Sequence, residues 1–213
     1  MAQDLAALQA QIKKELMAQR DMLPPPTISK INLKNKRFTV PGESPTEGPL
    51  KCIVLDWRYQ NNYFEGIYNS NNPIPPSCSA SSKNSQVMSP SADSAKPQSV
   101  DCSDCPQNAW GSDPGGKGKA CKNSVRLAIV PVNPTADMVP WVIDVSPTGM
   151  TSFNNYVHLL QNTYELLPMQ METEISFDQG VDYPSLRFKS LTTHEYLGAA
   201  MALRNAVQPL LGP

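Results

Sequence analysis

The sequence predicts a single β-rich α+β domain with flanking helices, on three observations. Short segments rich in β-branched and aromatic residues recur along the chain, few stretches have helical period, and strands and helices do not alternate. The missing alternation argues against a doubly wound nucleotide-binding sheet. The 213 residues suffice for one sizeable core or two small ones. At 40% hydrophobic and 17% charged residues the chain reads as soluble and globular, and its 21 prolines announce long loops.

Residues 2–22 have the period of an amphipathic helix, with Leu5, Leu8, Ile12 and Leu16 on one stripe. Leu23-Pro24-Pro25-Pro26 ends it, because proline lacks the amide and restricts the residue before it. Residues 1–26 are thus expected to form an arm that packs on the body or on a second protomer. "RFTV" (37–40) and "KCIVLDWRY" (51–59) read as strands, with "YFEGIY" (63–68) as hairpin partner across Gln60-Asn61-Asn62. Cys52 lies among Ile53 and Val54 and is expected to act as a small buried hydrophobe.

From Asn69 to Val100 the composition turns to Ser, Pro and Asn, too poor in apolar surface to offset its ordering entropy, which reads as a long, partly mobile loop. Beyond it, "VRLAIVPV" (125–132) and "PWVIDV" (140–145) are strand candidates. Phe153, Tyr156, Val157 and Leu160 share one helical face, with Thr151 or Ser152 as N-cap. "QMETEISFD" (170–178) alternates apolar and polar residues, and "SLRFKS" (185–190) is its expected partner across a turn near Gly180. A last helix is expected from Thr192, with Glu195 at capping-box spacing. The remainder, 27–213, is one domain with an insertion at 69–122.

A formal net charge of −1 provides no global footprint for nucleic acid, so any basic surface must be local. No run approaches the roughly 18 apolar residues of a membrane span, and "MAQDLAALQAQIKKEL" lacks the apolar core of a signal peptide. The expected location is a reducing cytoplasm, where disulfides are rare.

Four cysteines remain beside Cys52. Cys102-x-x-Cys105 is a knuckle that brings two thiolates to one ion, Cys121 follows at a separation common in zinc sites, and Cys78 completes a tetrahedral set across the Ser-rich loop. Such a structural zinc would clamp both long loops and leave no open position for catalysis. A redox dithiol at Cys102 and Cys105, or incidental free thiols, are the alternatives. Gly111 to Lys117 spells the opening of a phosphate-binding loop. Gly118 replaces the required Ser or Thr, and a strand follows instead of a helix, so a P-loop is rejected.

Lys117, Lys119 and Lys122 either offset the thiolate charge or, with Arg126, face a polyanion. Trp110 is either a core anchor or a stacking platform. "DWRYQNNYFEGIY" interleaves Arg58 with Trp57, Tyr59, Tyr63, Phe64 and Tyr68, the supply that single-strand binding requires, although alternation sends neighbours to opposite faces. His158 and His194 belong to no nucleophile motif, and no paired-carboxylate signature is present, so no enzyme is expected.

"NNPIPPSCSA", "CSDCPQNAWGSDPGGKGKACKNSVRLAIVP", "SPTGMTSFNNYV" and "DYPSLRFKS" together resemble a family of small bacteriophage single-stranded-DNA-binding proteins over residues 28 to 205. The resemblance implies an OB-like, partly open barrel with a zinc-bound insertion, acting in phage DNA replication or recombination in the host cytoplasm. Carried over by position, it implies zinc on Cys78, Cys102, Cys105 and Cys121. The sequence ends "RNAVQPLLGP", without the acidic tail by which many such proteins recruit partners.

The expectation is therefore a sequence-nonspecific single-stranded-DNA-binding protein with one structural zinc. Its candidate DNA contacts are Arg58, Tyr59, Tyr63, Tyr68, Trp57, Trp110, Lys117, Lys119, Lys122 and Arg126. Replication proteins and a second protomer, through the N-terminal helix, are candidate partners. The alternative is a zinc-stabilised protein–protein adaptor that never touches DNA.

Overall fold

The computed structural model describes residue 11, residues 29–66 and residues 74–212. The expected N-terminal arm, apart from helical Gln11, and Tyr68 lie outside the described residues. Seven strands form one sheet: β1 (Ser29–Lys30), β2 (Leu50–Tyr63), β3 (Cys78–Ser82), β4 (Lys122–Pro131), β5 (Trp141–Val145), β6 (Met171–Phe177) and β7 (Leu186–Thr193). Their order is β1-β5-β4-β2-β6-β7, and β3 also pairs with β2. β1 runs parallel to β5, and the other pairs are antiparallel. Of the α-helices among residues 29–212, α1 (Pro147–Thr163) lies between β5 and β6 and α2 (Leu197–Ala206) follows β7. The fold is α+β and rich in strands.

The sheet is open, since β1 and β7 end the order without pairing to each other. This corrects the OB-like barrel, and with it the resemblance to OB-type phage single-strand binders. The physical reason lies in β2, where Cys52 and Val54 point to one face and Ile53 and Leu55 to the other, all fully or almost fully buried. A strand apolar on both sides needs cover on both sides, which an open sheet between helices supplies.

On the first face, Phe153 of α1 meets Trp57 edge-on at 5.6 Å and Phe188 at 5.3 Å. Tyr156 shares a 2.5 Å hydrogen bond with Thr173 beneath it, and burial pushes its phenol pKa well up. Gly149 is required here, because a Cβ would lie 2.9 Å from Val145 and 3.1 Å from the Leu186 amide. On the second face, Ala200 and Leu203 of α2, with Val207, Leu210 and Leu211 after it, cover Ile53, Leu55, Ala128, Val130 and Val142.

A bulge between Val54 and Asp56 turns Asp56 inward on that second face. Burial alone would raise its pKa. Lys83, Gln208 and the Trp57 amide outweigh burial and hold the carboxyl below its ordinary range.

Several local expectations differ from the fold. "RFTV" is no strand and makes only isolated bridges, Asn32 with Thr39 and Phe38 with Thr46, and the Ser-rich segment expected to be a loop contains β3. Gln60-Asn61-Asn62 is no turn: β2 runs through it, pairing with β3 on one side and β4 on the other. α1 starts at Pro147 after Ser146, not at Thr151 or Ser152, because proline at the first helical position loses no needed hydrogen bond. β7 extends through Thr193, so the last helix begins at Leu197. The expected β6–β7 partnership is present. Among the described residues no helix is long and apolar enough to cross a membrane.

Candidate nucleic-acid groove and thiol cavity

β2 and β4 turn polar at the same end. Asn61 sits opposite Asn123, and Asn62 opposite Lys122. Above that end lies the segment 102–121, tied together by its own hydrogen bonds. The Gly111 and Asp113 amides donate to the Gly118 carbonyl at 2.8 and 3.3 Å, and the Cys121 amide donates to Gln107 at 2.8 Å. Ser112 Oγ donates to the Gln107 carbonyl at 2.9 Å and accepts from the Ala120 amide at 3.0 Å. Asp113 Oδ1 accepts the Lys117 and Gly118 amides at 2.9 and 3.2 Å. Those two amides are donors a phosphate cradle would use, and a carboxylate already occupies them. The rejection of a P-loop acquires a structural cause.

Asn108 joins this loop to the sheet. Its Nδ2 donates to the Cys102 carbonyl at 2.8 Å, and its Oδ1 accepts from Lys119 Nζ at 3.2 Å and Asn123 Nδ2 at 3.0 Å. Asn123 Nδ2 also donates to Asn61 Oδ1 at 2.6 Å. Below them Tyr59 donates its hydroxyl to Asn154 Oδ1 of α1 at 2.7 Å, and partial burial raises its pKa.

Between loop, sheet end and the start of α1 lies a groove of about 570 Å³. Tyr59, Trp110, Lys119 and Lys122 line it, with the amides of Asn61 and Asn154. Trp110 is 78% exposed, so it is no core anchor.

The other expected DNA contacts separate. Trp57 is half-buried against Phe153, with Lys83 over its ring at 5.3 Å. Arg58 points to the opposite face, where its guanidinium donates to Gln208 Oε1 at 3.5 Å. Arg126 is engaged by Asp144 through two bonds of 2.8 and 3.1 Å, and Lys30 adds a second cation at 2.7 Å. Tyr63 opens onto a different depression. Lys117 is exposed on the loop tip, near but not in the groove. Sequence reasoning missed Asn61, Asn108, Asn123 and Asn154. The available signal was that "QNN" in β2 and "KNS" in β4 turn polar together at paired positions.

Cys78, Cys102, Cys105 and Cys121 are all buried and free, and all line one cavity of about 10 Å³, room for little beyond one ion or water. Burial and then the neighbouring cysteines push the Cys121 thiol up to about 12, partly offset by Lys119. Cys102 is raised by burial, with Cys78 and Cys105 adding, against a lowering hydrogen bond from Asn61. Among the described residues, however, no three His, Cys, Asp or Glu side chains are placed to hold one ion. The formed zinc centre expected as part of the fold is corrected accordingly. The donor set matches a soft divalent ion in kind, but its arrangement is not a coordination shell. The Ser-rich segment is instead pinned by hydrogen bonds. The Ser91 and Lys96 amides donate to Ser79 and Ser77 at 2.7 Å each, and the Cys102 amide to Met88 at 2.9 Å. Cys52 lies fully buried in the sheet, where burial raises its thiol pKa strongly.

No family model, curated protein or solved structure matches the chain.

Proposed function

We propose that this chain is a non-catalytic, sequence-nonspecific single-stranded-DNA-binding protein whose binding surface is the groove beside Trp110. The observation that carries this reading is a Trp ring 78% exposed on a hydrogen-bonded loop, next to Lys119, Lys122 and a half-buried Tyr59. An unstacked base offers a flat face to such a ring, and stacking contributes about 1–3 kcal/mol per base irrespective of sequence. The lysines meet the phosphates. Duplex DNA keeps its bases stacked and has none to offer the ring.

A structural zinc on Cys78, Cys102, Cys105 and Cys121 belongs to the same proposal. It would replace four thiol protons with one cation and draw the sulfurs together beneath the loop that carries Trp110. Its test is metal analysis of the purified protein beside the Cys102→Ser/Cys105→Ser variant, where equal metal content in both removes the thiolate assignment.

Binding is tested by fluorescence anisotropy of a labelled mixed-sequence single strand, with a duplex control, across a salt series. With Lys119 and Lys122 each neutralising one phosphate, the logarithmic salt slope is expected to be about −1.4, at about −0.7 per phosphate. Saturable binding that prefers the single strand agrees with the reading. No binding at low salt by folded, metal-loaded protein overturns it and moves the search to protein partners.

A further inference from the structure

The loop has a second side. Where Trp110 and Lys119 face the groove, Gln107 and Ser112 face another open depression of about 680 Å³, walled by Tyr63 and Phe64 at the end of β2. Tyr63 and Phe64 are each half-buried, so each presents part of its ring. Lys122 lines both depressions, and it is exposed. Its Nζ donates to the Lys119 carbonyl at 3.1 Å, which holds the ammonium against the loop between the two.

The resulting order across the surface is aromatic depression, cation, aromatic depression. A mononucleotide or a small anion would use one depression and leave the other without a role. A polynucleotide repeats base, phosphate, base, and that repeat matches the surface. We infer that the ligand is a strand that crosses Lys122, with one base on Trp110 and another in a second subsite walled by Tyr63 and Phe64. The inference rests on the single-strand reading and goes beyond it by assigning the strand's path and a second base site, including Phe64.

The subsite predicts a dependence on strand length. Anisotropy titrations would compare oligothymidylates of about 4 and about 16 nucleotides, bracketing common single-strand site sizes. The proteins would be wild type, Phe64→Ala, Phe64→Leu and Trp110→Ala. Wild type is expected to favour the longer strand beyond its greater number of registers. Phe64→Ala is expected to lose about 5- to 150-fold on the longer strand, the equivalent of one stacked base, with little change on the shorter. Phe64→Leu retains apolar volume and should show the same loss, which separates stacking from a packing defect. Trp110→Ala should weaken both strands. Unchanged length dependence in both Phe64 variants overturns the second subsite while leaving the groove reading intact. Failure of wild type to bind either strand overturns both.

Discussion

The two halves of the molecule are held together by different physics. In the body, β2, β4 and β5 are sandwiched between α1 and α2, and residues such as Val54, Leu127, Ile129, Ile143 and Phe153 are fully buried. In the loop region over 74–121, the apolar cluster is Ala80, Met88 and Cys102, with Tyr59 against it. Hydrogen bonds made by serines and asparagines, and those that Asp113 accepts, do the rest. Burying one large apolar side chain stabilises by about 1.5–3 kcal/mol, against a net of about 0.5–1.5 kcal/mol for a typical hydrogen bond. The body is therefore expected to be the stable unit and the loop region the lower-stability one. The candidate groove sits on the boundary, with Tyr59 from the body and Trp110 from the loop.

Changes in the body should have the largest effect. Phe153→Ala removes the ring between Trp57 and Phe188, and a loss of about 3–5 kcal/mol is expected from urea unfolding. A smaller cost would mean that the packing around α1 is looser than described. Gly149→Ala should cost about 1–3 kcal/mol in the same measurement, because the added carbon meets Val145 and the Leu186 backbone.

The loop should respond differently. In Cys102→Ser/Cys105→Ser, amide exchange is expected to accelerate across 74–121 while β2 and β4 keep their protection. Uniform acceleration through the sheet would show that the two regions unfold as one.

The pH dependence sharpens the same contrast. The Asp56 carboxyl is held low by Lys83 and Gln208 despite burial, so its contribution is present above the ordinary value of 3.8 and is lost as pH falls through the lower folded value. Asp144, held down by Arg126 and Lys30, acts in the same direction. Unfolding midpoints should therefore drop below about pH 4. The Cys121 thiol is raised from 9.0 to about 12, so without metal the loop should lose stability as pH climbs above about 9, when the unfolded thiol ionises first. The smallest effect is expected for Arg37→Ala, which breaks the exposed pair with Glu47 and should change stability by less than about 1 kcal/mol.

Where side chains alternate strictly, the sequence was a sound guide. Met171, Thr173, Ile175 and Phe177 gave away β6 because a half-buried strand leaves that imprint. The four cysteines line one cavity, but among the described residues no three of them are placed to hold one ion. The coordination shell was not legible, because spacing does not determine where sulfurs point. Gln60-Asn61-Asn62 resembled a turn because three polar residues follow one another, yet their partners lie far away in sequence: Asn61 lines the groove, and Gln60 donates to the Leu211 carbonyl at 3.0 Å. The barrel expectation failed for the converse reason: cover of the second face comes from α2 and the residues after it, and β2 alone does not disclose that.

The central claim is that a base stacks on Trp110, and intrinsic fluorescence tests it most directly. Trp57 and Trp141 are partly buried, whereas Trp110 stands 78% exposed at the groove. Wild type and Trp110→Phe would be titrated with the same single strand. The account predicts saturable quenching in wild type that largely disappears in Trp110→Phe, with binding itself retained by the remaining ring. Equal quenching in both proteins, or none in wild type while the strand is bound, would contradict it.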